Sequence, residues 1–320
     1  MLALNTKEDL EIDQTASFKG LRLVSGADSG IRVRSMSDVD LDRVLELRDV
    51  VRWSADPRAF DLLRGMRKAR WAVAEAPNGS LAGMIGAVPL GRIGILCHLA
   101  VHDEYRSLGL GTRLSSWAVA YLRSRGARTI RLYATHQAES LYGSLGFRGT
   151  IARTIYRLDE VSSNARARDE ADGHRVETLT MGDLPEIYGA DHWTYGADRS
   201  ALIFATLRLH PGQGLIARDA SGQVKGYLIR SALGQATRIG PFVASTPDVA
   251  RLLLARALGT DGGAPVEVTV PGPADSPPHG LLREFGFAGR ADRMRMELGE
   301  QLCSCQAGLT HYGTTPYLAT

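Results

Sequence analysis

Between Leu99 and Gly111 an apolar run ends, a short polar turn follows, and Arg106-x-x-Gly109-x-Gly111 opens a second segment with helical spacing. Glycines at these positions let the backbone curl so that successive N–H groups converge on one point. A helix starting there adds its unpaired donors and the positive end of its dipole. A turn of this kind holds a diphosphate with few side-chain charges, and Arg106 adds a charge-assisted contact or braces the turn. The motif has neither the G-K-[ST] of a P-loop nor the three spaced glycines of the dinucleotide fingerprint. Further on, Ala138-x-x-Leu141-Tyr142-x-x-x-Gly146-Phe147 places a second group of distinctive residues after another apolar run.

The elements that must position these residues follow from periodicity. Ile31 to Met36 alternates as a strand, Ser37 and Asp38 offer a helix cap, and Val39, Val44, Leu45 and Leu47 have helical spacing. Trp71 to Glu75 and Leu81 to Val88 read as strands joined by a Pro77-Asn78-Gly79 hairpin turn, since Asn-Gly accepts the positive φ angles of tight hairpins. Ile93 to Val101 is a strand buried on both faces. Leu110 to Arg125 is an amphipathic helix with Leu114, Trp117, Ala118, Tyr121 and Leu122 on one stripe and Gly126 as its stop. A strand at Thr129 to Tyr133, a short helix at about Ala138 to Leu145 and a closing strand at Arg153 to Leu158 complete this half.

In combination these motifs resemble the GNAT superfamily of acyl-CoA-dependent N-acyltransferases over roughly residues 31–158. The resemblance implies an α/β (α+β) fold with a mixed sheet that splays apart and receives the pantetheine arm of acetyl-CoA or another acyl-CoA. The diphosphate would rest on the amides of Leu108, Gly109, Leu110, Gly111 and Thr112. An amide near Leu99 or Val101 would steady the thioester oxygen, and Tyr142 matches the tyrosine that protonates the departing thiolate in many relatives. The amine must first lose a proton. For a lysine-like amine that costs roughly 4.6 kcal/mol at neutral pH. Some relatives carry His or Glu for this purpose on the strand before the loop. Here those positions are Ile95 and Cys97, while His98 alternates to the opposite face as a core histidine. His136 is either a candidate base or a solvated loop residue, so the base stays open.

After a polar stretch at 159–173, readable as a linker or a surface helix, the pattern of the first half recurs. Ala74 to Gly83 lines up with Ala217 to Gly226, and Leu141 to Phe147 with Leu281 to Phe287, at nearly equal offsets. The second copy has no R-x-x-G-x-G, and Leu282 stands at the equivalent of Tyr142. The similarity to tandem GNAT proteins with a degenerate C-terminal domain implies that His192, Trp193, Tyr195, Asp198 and Arg199 line the acceptor cleft. Pro271 to Pro278 is a lid or a connection. The expected organisation is a loose segment at 1–30, a catalytic domain at 31–158, a linker at 159–173, a degenerate domain at 174–299 and a disordered tail at 300–320.

Composition excludes several classes. Hydrophobic residues at 44% and charged residues at 23% suit a soluble globular chain. No apolar run approaches a membrane span, the N-terminus lacks an apolar signal core, and three cysteines suit a reducing cytoplasm. A net charge of +3 without a basic run gives no nucleic-acid footprint. Cys303 and Cys305 do not make a zinc site, so no metal is expected. The expected acceptor is a small-molecule amine and the expected state a monomer or homodimer. Acylation of a protein lysine or N-terminus, and a non-catalytic acyl-CoA sensor, are the alternatives.

Overall fold

The computed structural model describes residues 30–51, 57–160, 170–171, 173–259, 264–301 and 308–316. The loose first segment, most of the linker and Cys303 and Cys305 therefore lie outside the described residues. The first half contains β1 (Arg32–Ser35), α1 (Leu41–Val50), α2 (Pro57–Arg64), β2 (Arg70–Glu75), β3 (Leu81–Leu90), β4 (Ile93–Val101), α3 (Leu110–Ser124), β5 (Thr129–Ala134), α4 (Glu139–Ser144) and β6 (Arg148–Leu158). The second contains β7 (Glu170–Ala171), β8 (His174–Thr178), α5 (Leu184–Tyr195), α6 (Ser200–Leu209), β9 (Gly214–Asp219), β10 (Val224–Leu233), β11 (Ala236–Ala244), α7 (Pro247–Leu258), β12 (Val266–Pro271), α8 (Pro277–Glu284), β13 (Ala288–Gly299) and β14 (Thr310–Gly313).

The repeat seen in the sequence is a repeat of structure. Ser37 and Asp40 form a capping box before α1, and Thr180 and Asp183 form its counterpart before α5. Gly83 on β3 lets β4 and α3 approach, because a Cβ there would meet Ala100 O at 2.8 Å and Leu114 at 3.0 Å. Gly226 on β10 does the same against Val243 O at 2.7 Å and Leu253 at 3.0 Å. After α4, Phe147 N–H donates to Tyr142 O at 3.0 Å; after α8, Phe287 N–H donates to Leu282 O at 3.0 Å. Gly146 and Gly286 turn these two corners at φ +87° and +83°.

The two halves are nonetheless one sheet. Its order is β1-β2-β3-β4-β5-β13-β6-β12-β11-β10-β9-β8-β7, with β14 added beside β11. Among the described residues, the closing strand of the first half, β6, pairs with β13 and β12 and with no strand of its own half. Strand β13 in turn lies antiparallel to β5, from Met294 opposite Ala134 to Gly299 opposite Thr129. Each half thus completes its sheet with a strand borrowed from the other. The helices cross over as well, since Tyr195, Ala197 and Leu202 pack into the same apolar cluster as Val44, Phe60, Trp71 and Ile95. Among the described residues, no helix is long and apolar enough to cross a membrane.

Candidate active site

The turn between β4 and α3 has an unusual backbone. Ser107 adopts φ +64° and Gly109 φ +74°, so the chain reverses twice before Leu110 starts the helix. The first backbone bond of the helix runs from Arg113 N–H to Gly109 O at 3.1 Å. Among the described residues, the amides from Leu108 to Thr112 make no backbone bond, and no acidic side chain stands in the first turn to neutralise the helix dipole. The loop therefore presents converging donors and a positive helix end, the chemistry a diphosphate requires. Arg106 is engaged at the foot of this turn. Its guanidinium lies 2.6 Å from Asp103 on the surface, an ion pair that spans the turn.

Below the turn the sheet opens. Strands β4 and β5 run parallel and pair only from Ile93 opposite Thr129 to Ile95 opposite Arg131, although β4 continues to Val101 and β5 to Ala134. On its other edge β4 stays paired to β3 but carries an extra residue between Cys97 and Ala100, which face Gly86 and Met84. His98 takes φ +54° in this bulge. His102 N–H donates to Ala82 O at 2.9 Å. By alternation, the amides of Val101 and Leu99 point away from β3, toward the side β5 has left.

Tyr142 stands on α4 beside this opening, 5% exposed and edge-on to Phe147 at 5.7 Å. Burial, helped by the nearby Cys97 thiol and opposed by Arg293, pushes the phenol well above its usual range. It is a neutral donor throughout the physiological range. Leu99, Gly111 and Leu141 meet at this point, tying β4, α3 and α4 together.

Residues 42–147 match the model of the acetyltransferase (GNAT) family, and residues 187–308 match a second acetyltransferase (GNAT) domain model. The chain belongs to the GNAT superfamily and carries two such domains in tandem. An uncharacterized N-acetyltransferase of Bacillus subtilis, YitH, is 28% identical over 66% of this chain and 71% of its own. A protein of Pyrococcus horikoshii regarded as an acetyltransferase shares the fold at TM-score 0.71 and 20% identity, covering 95% of this chain and 99% of the other. A tandem GNAT protein from the clavulanic acid pathway shares it at TM-score 0.63 and 14% identity, covering 87% and 99%.

Within this GNAT frame the candidate bases fare poorly. Ile95 is fully buried, and burial pushes the Cys97 thiol up to about 12. The bulge overturns the expected facing of His98. Its ring packs against Phe60 and Trp71, on the same side as Ile95 and Cys97, while Leu99 points to the α3 side. Burial and the Arg48 guanidinium, whose Nη1 lies 3.0 Å from Nδ1, pull this imidazole down to about 3. It is neutral at pH 7 and a weak proton acceptor. His136 is 98% exposed and lies 3.5 Å from Glu139.

The five acceptor-site residues expected from the second half fall into two groups, Tyr195 and Arg199 buried and His192, Trp193 and Asp198 exposed. Arg199 is wholly buried and donates from Nε (2.9 Å) and Nη2 (2.5 Å) to Asp191. Tyr227 donates to the same carboxylate, and the Arg199 guanidinium lies 3.9 Å above the Tyr195 ring. These side chains form a charged core joint because Asp191 supplies the counter-charge that burial of Arg199 demands. Trp193 is 61% exposed and His192 is also exposed. Asp198 lies just before α6 and accepts from Ser200 N–H at 3.0 Å.

The expected disordered tail is partly a strand. In the second half β11 and β12 also part after three pairs, from Thr237 opposite Val266 to Ile239 opposite Val268. There β14 enters the gap, pairing Gly313, His311 and Thr310 with Phe242, Val243 and Ala244, while Thr314 N–H donates to Thr269 O at 2.8 Å. Tyr312 is 2% exposed, which gives the tail an apolar anchor that outweighs the entropy of ordering it. Pro271 to Pro278 is the connection from β12 into α8.

Proposed function

We propose that this protein is an N-acyltransferase that moves an acyl group, in the simplest case acetyl, from acyl-CoA to a primary amine of a small molecule within one ternary complex. The observation that carries the reading is the conjunction of three elements at one place. These are the unpaired amides from Leu108 to Thr112, the parting of β4 from β5 beyond Ile95, and the buried neutral phenol of Tyr142.

The donor would lay its diphosphate on the loop amides and its pantetheine arm along the free edge of β4. The thioester oxygen would accept from the Leu99 or Val101 amide, an interaction worth about 10²–10³-fold when one such donor is removed. The amine attacks the carbonyl carbon, the C–S bond breaks as Tyr142 gives its proton to the leaving sulfur, and the proton that the nitrogen sheds on becoming an amide returns through water to the phenolate. Because Cys97 and His98 accept protons poorly, the acceptor enters as the free amine, and kcat/KM rises with pH until the amine is deprotonated.

Thiol release from acetyl-CoA, followed spectrophotometrically against a panel of small amines, peptides and proteins, tests the reading. Turnover on small amines with acylated product by mass spectrometry is the expected result. Turnover confined to peptides or proteins would assign a macromolecular acceptor. Donor binding with no thiol release from any partner would make the protein an acyl-CoA sensor.

A further inference from the structure

The exchange of strands between the halves delivers a side chain of the second half to the reaction centre of the first. Met294 on β13 faces Ala134, the last residue of β5, so Arg293 lies one step beyond the end of β5. That is where β4 has already turned away and where the chain continues toward Tyr142. A bulge at Asp292, between the Ala291–Thr154 and Arg293–Arg153 pairs, re-aims the side chains of this strand end.

Among the described residues, two guanidiniums share one carboxylate at this corner. Asp292 pairs closely with Arg153 and stands 3.5 Å from Arg293 Nε. The Arg293 Nε is buried and makes no hydrogen bond, yet a quarter of the side chain is open. The same sharing repeats further along the face, where Arg131 and Arg295 share Glu297. Tyr142 and His98, from the two sides of the opening, both feel the Arg293 charge. A guanidinium that is partly desolvated, short of acceptors and beside the acyl-transfer point is built to meet a planar anion.

We infer that one of the two reactants carries a carboxylate and that Arg293 binds it. This rests on the acyltransferase reading above and narrows its substrate class. The carboxylate belongs either to the acceptor, as in an amino acid, or to the acyl group, as in a dicarboxylic acyl-CoA.

The test compares matched pairs on the full chain. With acetyl-CoA the acceptors are tyrosine against tyramine and tryptophan against tryptamine. With one productive amine the donors are succinyl-CoA against butyryl-CoA and malonyl-CoA against propionyl-CoA. The wild type is expected to favour the carboxylated member of one set by at least about tenfold in kcat/KM, since charged hydrogen bonds of this kind are worth that much. The set showing the preference locates the carboxylate. The ratio is expected to collapse in Arg293→Met and to survive in part in Arg293→Lys, with unfolding midpoints confirming that both variants fold. Absence of preference in both wild-type sets, or a preference that persists in Arg293→Met, overturns the inference and leaves acyl transfer standing. No thiol release with any pair overturns both.

Discussion

Leu141 of α4 stands so close to Gly111 of α3 that a Cβ built on the glycine would lie 3.1 Å from Leu141 Cδ2. The contact fixes the height at which the first turn of α3 meets α4, and with it the spacing between the loop amides and Tyr142. Gly111→Ala asks Leu141 to give by a few tenths of an ångström. Gly111→Val adds two further carbons to the same place. Donor affinity, measured calorimetrically with coenzyme A, is expected to fall slightly in the first variant and at least about tenfold in the second, with the fold intact by circular dichroism. Unchanged affinity in Gly111→Val would remove the loop from donor binding.

Tyr142→Phe keeps the ring and its packing on Phe147 while removing the proton. Turnover is expected to fall about 10²–10⁴-fold, with the donor KM changed by less than about threefold. The sign of the phenol's shift makes a second expectation. Its folded value lies above the ordinary one near ~10, so the donor form persists at pH 10. The rate should therefore show no alkaline loss from this group below pH 10. A wild-type profile falling from about pH 8, and lacking that fall in Tyr142→Phe, would contradict it.

Asp191 and Arg199 hold the second half's first helices together from inside. Removing one partner leaves a buried charge uncompensated, so Asp191→Asn and Arg199→Met should each lower stability by about 3–5 kcal/mol. The double variant should lose clearly less than the sum of the two. Denaturant unfolding of the four proteins measures the coupling. Additive losses would mean that the pair is not a unit.

Much of this architecture is legible in the sequence because it is local. Strand β4 falls on Ile93 to Val101 as periodicity predicts, and the glycine spacing marks the turn into α3. The duplication shows in Gly83 and Gly226 because close approach of a neighbouring strand leaves no room for a side chain. What escapes is non-local or depends on a single residue. Nothing in the alternation of β6 says that its neighbours are β12 and β13, since partner choice leaves the same pattern. The extra residue at His98 shifts one facing without changing composition. Arg199 and Tyr195 are residue types equally at home on a surface, and only the contacts of the folded chain, Arg199 with Asp191 and with the Tyr195 ring, explain their burial. Arg293 escaped as a site residue because its position depends on the exchange. Strand β14 is four residues long with a single apolar side chain, Tyr312, below what periodicity can detect.

The Arg34, Asp40 and Glu75 cluster predicts an acid dependence of stability. Arg34 reaches Asp40 through both terminal nitrogens at 2.7 Å and Glu75 through Nε at 2.9 Å. Its hydrogen bonds, joined by those of Ser37 at Asp40 and of Arg43 at Glu75, hold the Asp40 carboxyl well below the carboxylate range and Glu75 at about 2. Folded values depressed below the unfolded values near ~4 give stability that is complete above pH 5 and lost as pH falls. Arg34→Met should therefore be less stable than wild type at pH 7, with the gap closing between about pH 4.5 and pH 2. Thermal unfolding across that range measures it, and a gap independent of pH would show that packing, not charge, is what Arg34 contributes.

Strand β14 bears on how many donors the chain can hold. Among the described residues, the parting of β4 and β5 in the first half is bridged by no strand, whereas in the second β14 links β11 and β12 at the equivalent place. Gly313 sits in that gap with Val268 at 3.0 Å and Ile239 O at 3.2 Å from where a Cβ would lie, so the fit is tight. A donor arm could enter there only by displacing Tyr312, whose ring is buried 5.2 Å from that of Phe242. Truncating a buried aromatic costs about 3–5 kcal/mol, which sets the loss expected for Tyr312→Ala. Calorimetry of the wild type with coenzyme A should then give one equivalent per chain. A second equivalent, or an unfolding midpoint unmoved by Tyr312→Ala, would mean that the strand is a loose occupant of the gap and that the second half keeps a usable slot.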